Sequence, residues 1–391
     1  MKRHKILMVT PFFPPDKGGI ADHVYNVTKR IENSGHAVTI VAPKSIRRKN
    51  VSSEESNVIR LNSVFFPGWP YSTLKSFSLP IDGGSKLNSL IRNSDFDIVH
   101  VHGHHYFLSW KAIKSAAKEG IPTVLTLHGM WALNPKRLGG KSKIEEIFNE
   151  YKFKDVLSYT NNIIGLTQNI INYAKKYGNN NSKYFIIPNG VDTSIYSENL
   201  SKKNIFRKKY NLDENKKIIF FCGRLEEVKG IKELVGAIKQ LTTKKNFEVI
   251  IAGDGTLKNF VHNSLKSFSN VHILEWQPSS TIHELYIASD IFVIPSKFEA
   301  LPLTLIEAMN AGLHVVYTEV GGIPDIVKQY NAKTLLREVT ILEIAKTLED
   351  LIGKSDILAS SDSLEYARMF DWDKIAKQTI DVYDKCSFFK K

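Results

Sequence analysis

The chain has 391 residues, 42% of them hydrophobic and 24% charged, with a formal net charge of +13. These are globular proportions, the length exceeds one ordinary core, and no apolar run reaches the ~18 residues that a membrane span needs. Two cysteines, Cys222 and Cys386, exclude a disulfide framework and a cysteine-built metal site.

In chain order, Lys2-Arg3-His4-Lys5 followed by Ile6-Leu7-Met8-Val9 starts like a secretory leader. The apolar run stops at Thr10-Pro11, too short for that, so a first strand is expected over 6–10. Further strands are expected at 37–41, 97–102, 123–128, 162–167 and 184–188, and helices at 20–34, 107–119, 144–159 and 168–177. Short β-branched runs alternating with helical periods predict a parallel sheet covered on both faces.

Chemistry-bearing residues sit where strands end. Gly18 and Gly19 follow the first strand and open the next helix, a turn whose backbone can approach a ligand. A plain strand-to-helix turn explains the same glycines, and Asp16 in that loop is a candidate acceptor contact. Asp95-Phe96-Asp97 has the spacing of a divalent-metal clamp, but it precedes its strand, away from the ligand edge. His100 and His102 fall on one face of that strand, with His104 and His105 after its carboxyl end. No cysteine or carboxylate completes a tetrahedral set nearby, so core or cleft-edge positions are expected and no metal. His128 stands at a strand's carboxyl end before Gly129, where an imidazole can bond a hydroxyl. A buried structural histidine is the competing account.

A polar join is expected between 188 and 216, preceded by Asn179-Asn180-Asn181-Ser182. A second alternating series follows at 217–223, 232–242, 247–252, 257–268, 272–274, 282–288, 291–295, 303–312, 314–318 and 324–329. Its first loop, Gly223-Arg224-Leu225-Glu226-Glu227-Val228-Lys229-Gly230, offers Arg224 as a fork and Lys229 as a point charge for an anion. Gly253-Asp254-Gly255 lacks the third glycine of a dinucleotide fingerprint, since Lys258 stands there. Then comes Glu299-Ala300-Leu301-Pro302-Leu303-Thr304-Leu305-Ile306-Glu307. Pro302 fits a first helical turn, which places Glu299 in the loop before it and Glu307 on the second turn. The free amides of Leu301, Leu303 and Thr304 would face an anion. An amphipathic helix with a Leu303, Ile306, Met309 and Ala311 core and surface glutamates fits the spacing as well. Asp371-Trp372-Asp373 near the end reads as helix-cap chemistry.

Positive charge clusters at Arg47-Arg48-Lys49, at Lys136-Arg137 with Lys141 and Lys143, and at Lys202-Lys203 with Arg207-Lys208-Lys209. An anionic membrane surface or acceptor and plain solvated charge both account for it. Nucleic acid is not expected: no such motif occurs, and no aromatics interleave the clusters.

Taken together, these motifs resemble the retaining glycosyltransferases of family 4, with the GT-B fold. The resemblance rests on Phe13-Pro14-Pro15 with Gly18-Gly19-Ile20, Leu127-His128-Gly129, Pro188-Asn189-Gly190-Val191-Asp192, Gly223-Arg224-Leu225 with Lys229-Gly230, Gly253-Asp254-Gly255, the Glu299/Glu307 pair and Val320-Gly321-Gly322-Ile323-Pro324. It implies two Rossmann-like doubly wound domains facing a central cleft. They would be an acceptor-binding domain over 1–190, completed by a C-terminal helix in 366–391, and a nucleotide-sugar domain over 191–365. It implies metal-independent transfer, with no cofactor, from a nucleoside-diphosphate sugar to a glycan or lipid-linked hydroxyl. By the resemblance, His128, Glu299, Arg224 and Lys229 serve the reaction. Gly18, Gly19, Arg224, Lys229, Gly255, Glu299, Leu301, Leu303 and Glu307 hold the donor, with Arg224 and Lys229 on the diphosphate, Glu299 on the sugar and Glu307 on the ribose. Asn310, His314 and Asp325 depart from the usual alanine, proline and glutamate. A cytoplasmic location is expected, peripheral to the inner face of the cell membrane, in cell-envelope polysaccharide synthesis. A sugar-nucleotide epimerase on a related fold and a non-catalytic nucleotide-sugar-binding subunit are the alternatives.

Overall fold

The computed structural model describes residues 3–16, 18–44, 57–66, 77–80, 83–129, 149–178, 182–241 and 246–386. The chain divides into two compact units, Met1–Asn189 with Trp372–Lys391, and Gly190–Asp371.

The first unit carries β1 (Lys5–Val9), β2 (Ala37–Pro43), β3 (Val58–Leu61), the antiparallel pair β4 (Ser63–Phe66) and β5 (Phe77–Pro80), β6 (Ile98–His102), β7 (Thr123–Leu127), β8 (Asn162–Gly165) and β9 (Lys183–Ile186). Seven of these form a parallel sheet in the order β3-β2-β1-β6-β7-β8-β9. The start of the chain is therefore a strand, and Ile6, Leu7, Met8 and Val9 are all fully buried. Continuous apolar runs are what a parallel sheet covered on both faces requires. Helix Gly19–Asn33 buries Val24, Val27 and Ile31 and packs against the last helix, Trp372–Asp384. Arg30 Nε and Asp373 Oδ1 (3.0 Å) join the two.

The second unit repeats the plan with β10 (Lys217–Cys222), β11 (Phe247–Ala252), β12 (Val271–Leu274), β13 (Ile291–Ile294), β14 (His314–Thr318) and β15 (Lys333–Leu336), ordered β12-β11-β10-β13-β14-β15. Its core joins Ile219, Phe221, Val249, Ile251 and Val293 of the sheet to Leu234, Ile238, Ile344 and Leu348 of two helices. In both sheets the order reverses beside the first strand, between β1 and β6 and between β10 and β13. Ligands of open parallel sheets bind outside the carboxyl ends at such reversals.

Several elements go beyond the expected series: β3, the β4–β5 pair, β15 and the helices Gly83–Arg92, Ile341–Ile352 and Ser361–Ala367. Strands β3 and β15 are edges with half-exposed residues, so neither shows the continuous apolar run of a central strand. Residues 190–216 and 366–371 lie in the second unit, and the return into the first begins at Trp372. Val191 N–H donates to Phe370 O (2.9 Å), and Asp371 Oδ2 accepts from Thr193 N (3.2 Å) and Thr193 Oγ1 (2.6 Å). Asp371 thus fixes the start of helix Thr193–Ser197. Among the described residues, no helix is long and apolar enough to cross a membrane.

Candidate functional site

The loops after β10 and β13 meet at the reversal of the second sheet. Lys229 and Glu299 form an ion pair through Glu299 Oε1, which also accepts from Ser296 Oγ (3.0 Å). Ser296 is held in turn, since Thr318 Oγ1 donates to its carbonyl (2.6 Å). The backbones are laced together as well: Lys297 N–H donates to Val228 O (2.8 Å) and Gly322 N–H to Ala300 O (2.8 Å).

Two glycines make this approach possible. A Cβ on Gly230 would lie 2.0 Å from Pro295 O, and one on Gly321 would lie 2.0 Å from Glu299 O. Both have left-handed φ, +67° and +60°. Gly230 and Gly321, far apart in the sequence, are therefore one packing device around the Glu299 loop. Gly255 joins the same assembly, because a Cβ there would sit 2.5 Å from Leu225 O. Leu225 N–H donates to Asp254 O (3.0 Å), and Glu226 accepts from Thr256 N (3.1 Å) and Oγ1 (2.7 Å).

Helix Leu303–Asn310 starts one residue after Pro302, which is the extended cap rather than the first helical residue. A cap at φ −75° and ψ 122° keeps Pro302 out of the helix while its ring still suits the position. The first-turn amides of Leu303 and Thr304 precede intrahelical bonding. Glu307 lies on the second turn, with His283 Nε2 3.8 Å from its Oε1. Beneath it are Cys222, Tyr196 and Tyr286, whose ionisation burial and then the Glu307 charge push up. All three stay neutral at physiological pH. Arg224 is exposed beside Leu225.

Gly18, Gly19 and His128 belong to the first unit. Gly18 precedes helix Gly19–Asn33, and the space around both α-carbons is open. Asp16 closes the turn, with its N–H on Phe13 O (3.1 Å). His128 follows β7, and its Nε2 lies 3.0 Å from His102 Nδ1. His102 Nε2 reaches Met8 Sδ (2.9 Å), and His23 Nδ1 reaches Asn189 Oδ1 (3.0 Å). His100 is a core residue between Tyr383 OH (2.6 Å) and Thr126 Oγ1 (2.7 Å). Burial drives these rings toward the neutral form: His23 is pulled down to about 4, His100 and His105 to about 3, and His102, His104 and His128 well below the usual imidazole range.

Asp95 and Asp97 serve the entry end of β6, with Asp97 Oδ2 accepting from Lys5 N (2.7 Å) and Asp95 paired with Lys5 Nζ. The 202–209 cluster is largely neutralised within its unit. Arg207 is buried on Asp290 (2.6 Å) and Ala288 O (2.9 Å), Lys203 also binds Asp290 (2.6 Å), and Lys209 pairs with Glu284. The clusters at 47–49 and 136–143, Asn179 to Asn181 and the start of the expected 144–159 helix lie outside the described residues. Ser296, His283, Tyr196, His23 and the His102–His128 contact emerge only in the fold, since no local pattern marks them.

Two family models match. Glycosyltransferase Family 4 matches residues 17–195, and Glycosyl transferases group 1 matches residues 202–366. An uncharacterized glycosyltransferase of Methanocaldococcus jannaschii is 24% identical, over 97% of this chain and 97% of that protein. The GPI3 subunit of phosphatidylinositol N-acetylglucosaminyltransferase from Saccharomyces cerevisiae is also 24% identical, over 98% of this chain and 83% of its own length. The structure of Anabaena HepE with UDP and glucose superposes with a TM-score of 0.72 at 18% identity, covering 98% of this chain and all of that one, a likeness of fold.

Proposed function

This chain belongs to the glycosyltransferases of group 1, family 4, and from that premise we propose that it moves a sugar from a nucleoside diphosphate to a hydroxyl of a glycan or lipid-linked acceptor, with retained configuration and without a metal. The observation that carries this reading is the Lys229–Glu299 pair at the β10/β13 reversal, with Arg224 on the same loop and the first turn of Leu303–Asn310 beside it.

Fixed cations stabilise a departing diphosphate best where water is scarce. Arg224 forks two phosphate oxygens, and Lys229 exchanges its carboxylate partner for a third. The amides of Leu301 and Leu303 add donors to the diphosphate, and Gly255 lets the backbone close on base and ribose. Glu299 accepts from hydroxyls of the sugar and Glu307 from the ribose. His128, neutral through burial, bonds a sugar hydroxyl near the reacting carbon. The acceptor attacks from the face the diphosphate leaves, and the departing phosphate takes its proton. Residues 1–190 with the C-terminal helix would present the acceptor, and 191–365 the donor. The UDP and glucose named for HepE are of the donor class this reading requires.

Thermal unfolding with UDP, GDP, ADP and CMP, with and without EDTA, tests it. A ligand at 100 times its Kd adds ~2.7 kcal/mol. A shift with one nucleotide, indifferent to EDTA and lost in Glu307→Ala, is expected; no shift with any nucleotide sinks the reading. The excess positive charge further suggests work at the inner face of a cell membrane on an envelope glycan. Liposome flotation should then show binding to anionic but not neutral vesicles, and absence from both would remove that suggestion.

A further inference from the structure

Behind His128 runs a short chain of polar contacts across three neighbouring strands of the first sheet. His128 follows β7, His102 ends β6 and Met8 lies in β1. His128 Nε2 is 3.0 Å from His102 Nδ1, and His102 Nε2 is 2.9 Å from Met8 Sδ. Met8 and His102 are fully buried. The His128 ring is held from two sides, stacked on His102 at 5.2 Å and met edge-on by His23 at 4.8 Å. His23 is itself tied, through Nδ1 to Asn189 Oδ1 (3.0 Å) and edge-on to Trp372 at 5.4 Å.

With the rings packed in place, the placement of the protons is what their neighbours decide. Burial keeps His102 and His128 neutral, so each has one N–H and one lone pair. One proton lies between His102 Nδ1 and His128 Nε2, and either ring is able to donate it. Met8 breaks the tie, because a thioether only accepts. A proton on His102 Nδ1 would leave two lone pairs facing each other at 2.9 Å in a dry core, with a buried nitrogen unpaired. His102 therefore carries its proton on Nε2 and turns the lone pair of Nδ1 to His128. His128 must then donate from Nε2 and keep its own lone pair on Nδ1. That Nδ1 bonds to none of the described residues and is not sealed from water, on a ring that is half-buried.

We propose that His102 is the positioning residue of His128: steered by Met8, it holds His128 in the Nε2–H tautomer, so that Nδ1 meets a sugar hydroxyl as an acceptor and not as a donor. The role toward a sugar rests on the transfer reading above, whereas the tautomer is a property of the resting protein. A hydroxyl that donates gains electron density on its oxygen. That density favours the positive charge a sugar ring develops as its leaving group departs. His102 itself touches no substrate in this arrangement.

Imidazole tautomers are read directly by nitrogen NMR of the full-length protein with isotope-labelled histidine, His128 being assigned by the signals lost in His128→Gln. Near neutral pH and without nucleotide, His128 and His102 should each show a protonated Nε2 and a bare Nδ1. Met8→Leu conserves volume in the core and should fold alike, yet move part of the His128 population to the Nδ1–H form. His102→Phe should do the same, and should lower kcat for transfer about tenfold while leaving the Kd of the nucleotide unchanged. A protonated Nδ1 on His128 in the unaltered protein, or a tautomer indifferent to both substitutions, would overturn the proposal. So would equal losses of kcat and nucleotide affinity in His102→Phe, which would make His102 a packing residue. Should His102→Phe not fold, Met8→Leu and the unaltered spectrum decide. A protein that shows this tautomer but binds no nucleotide would sink the transfer reading and leave the hold of His102 on His128 standing.

Discussion

Two cations at the diphosphate loops differ in what they do to the resting protein. Arg224 is exposed, whereas Lys229 neutralises the nearly buried Glu299. Arg224→Ala should therefore leave the melting temperature unchanged while slowing sugar transfer by ~10²–10³-fold, the usual loss for one fixed donor to a charged transition state. Lys229→Ala should slow transfer similarly and also destabilise, by about 3–5 kcal/mol if Glu299 stays charged and less if it protonates. Paired measurements of nucleotide release and thermal unfolding separate the two. Equal melting temperatures for both variants would contradict the role given to the ion pair.

Among elements, the Val320-Gly321-Gly322 turn is the one whose backbone limits the Glu299 loop most closely. Gly321→Ala requires a left-handed alanine and an overlap with Glu299 O, so a loss of about 1–2 kcal/mol from φ alone is a lower bound. Urea unfolding should show it, together with weaker nucleotide binding; a neutral Gly321→Ala would mean the turn relaxes freely. At this scale the sequence was most informative. The central strands β1, β10 and β13 are buried on both faces and read as apolar runs, and β6, β7 and β11 as β-branched or apolar runs broken by His100, His102, Thr126 and Glu248. Glu299, Lys229 and the glycines were legible because turns and charges at strand ends are local patterns. Edges β3 and β15 were not, since half-exposure removes the run. Helix Ile341–Ile352 carried a readable signal, a Thr340 cap accepting from Glu343 N and a buried Ile344, Leu348 and Leu351 stripe, which the strand-to-helix count stopped short of. The partners of His128 were not legible because His23 and His102 reach it only through the sheet.

For the whole molecule, the buried histidines make acid a selective stress. In the unfolded chain each imidazole takes a proton near pH 6.5, whereas in the fold His23 waits until about 4 and His100 and His105 until about 3. Below pH 6.5 the unfolded state thus binds more protons. Stability should be full above that pH, fall by about 1.4 kcal/mol per pH unit for each such histidine, and level off below about 3. His23, His100 and His105 lie in the first unit, and among the described residues the second unit has only His283 and His314 lowered by burial. Acid titration in EDTA should therefore unfold the environment of Trp110 and Trp372 before that of Trp276, followed by fluorescence of single-tryptophan variants. Simultaneous loss would mean that the two units unfold as one.

The hydrogen bond from Val191 to Phe370 has a genealogical reading. It brings the two ends of the 190–371 segment side by side, so that segment begins and finishes at nearly one point. In the gene it is a continuous insert, whereas its host is written in two pieces separated by the whole of the insert. Recombination can exchange such a cassette in one step without rewriting what surrounds it. Replacing the host takes two coordinated events, because helix Trp372–Asp384 must travel with residues encoded far upstream. Lineages of such chains should accordingly diversify their two halves by different routes.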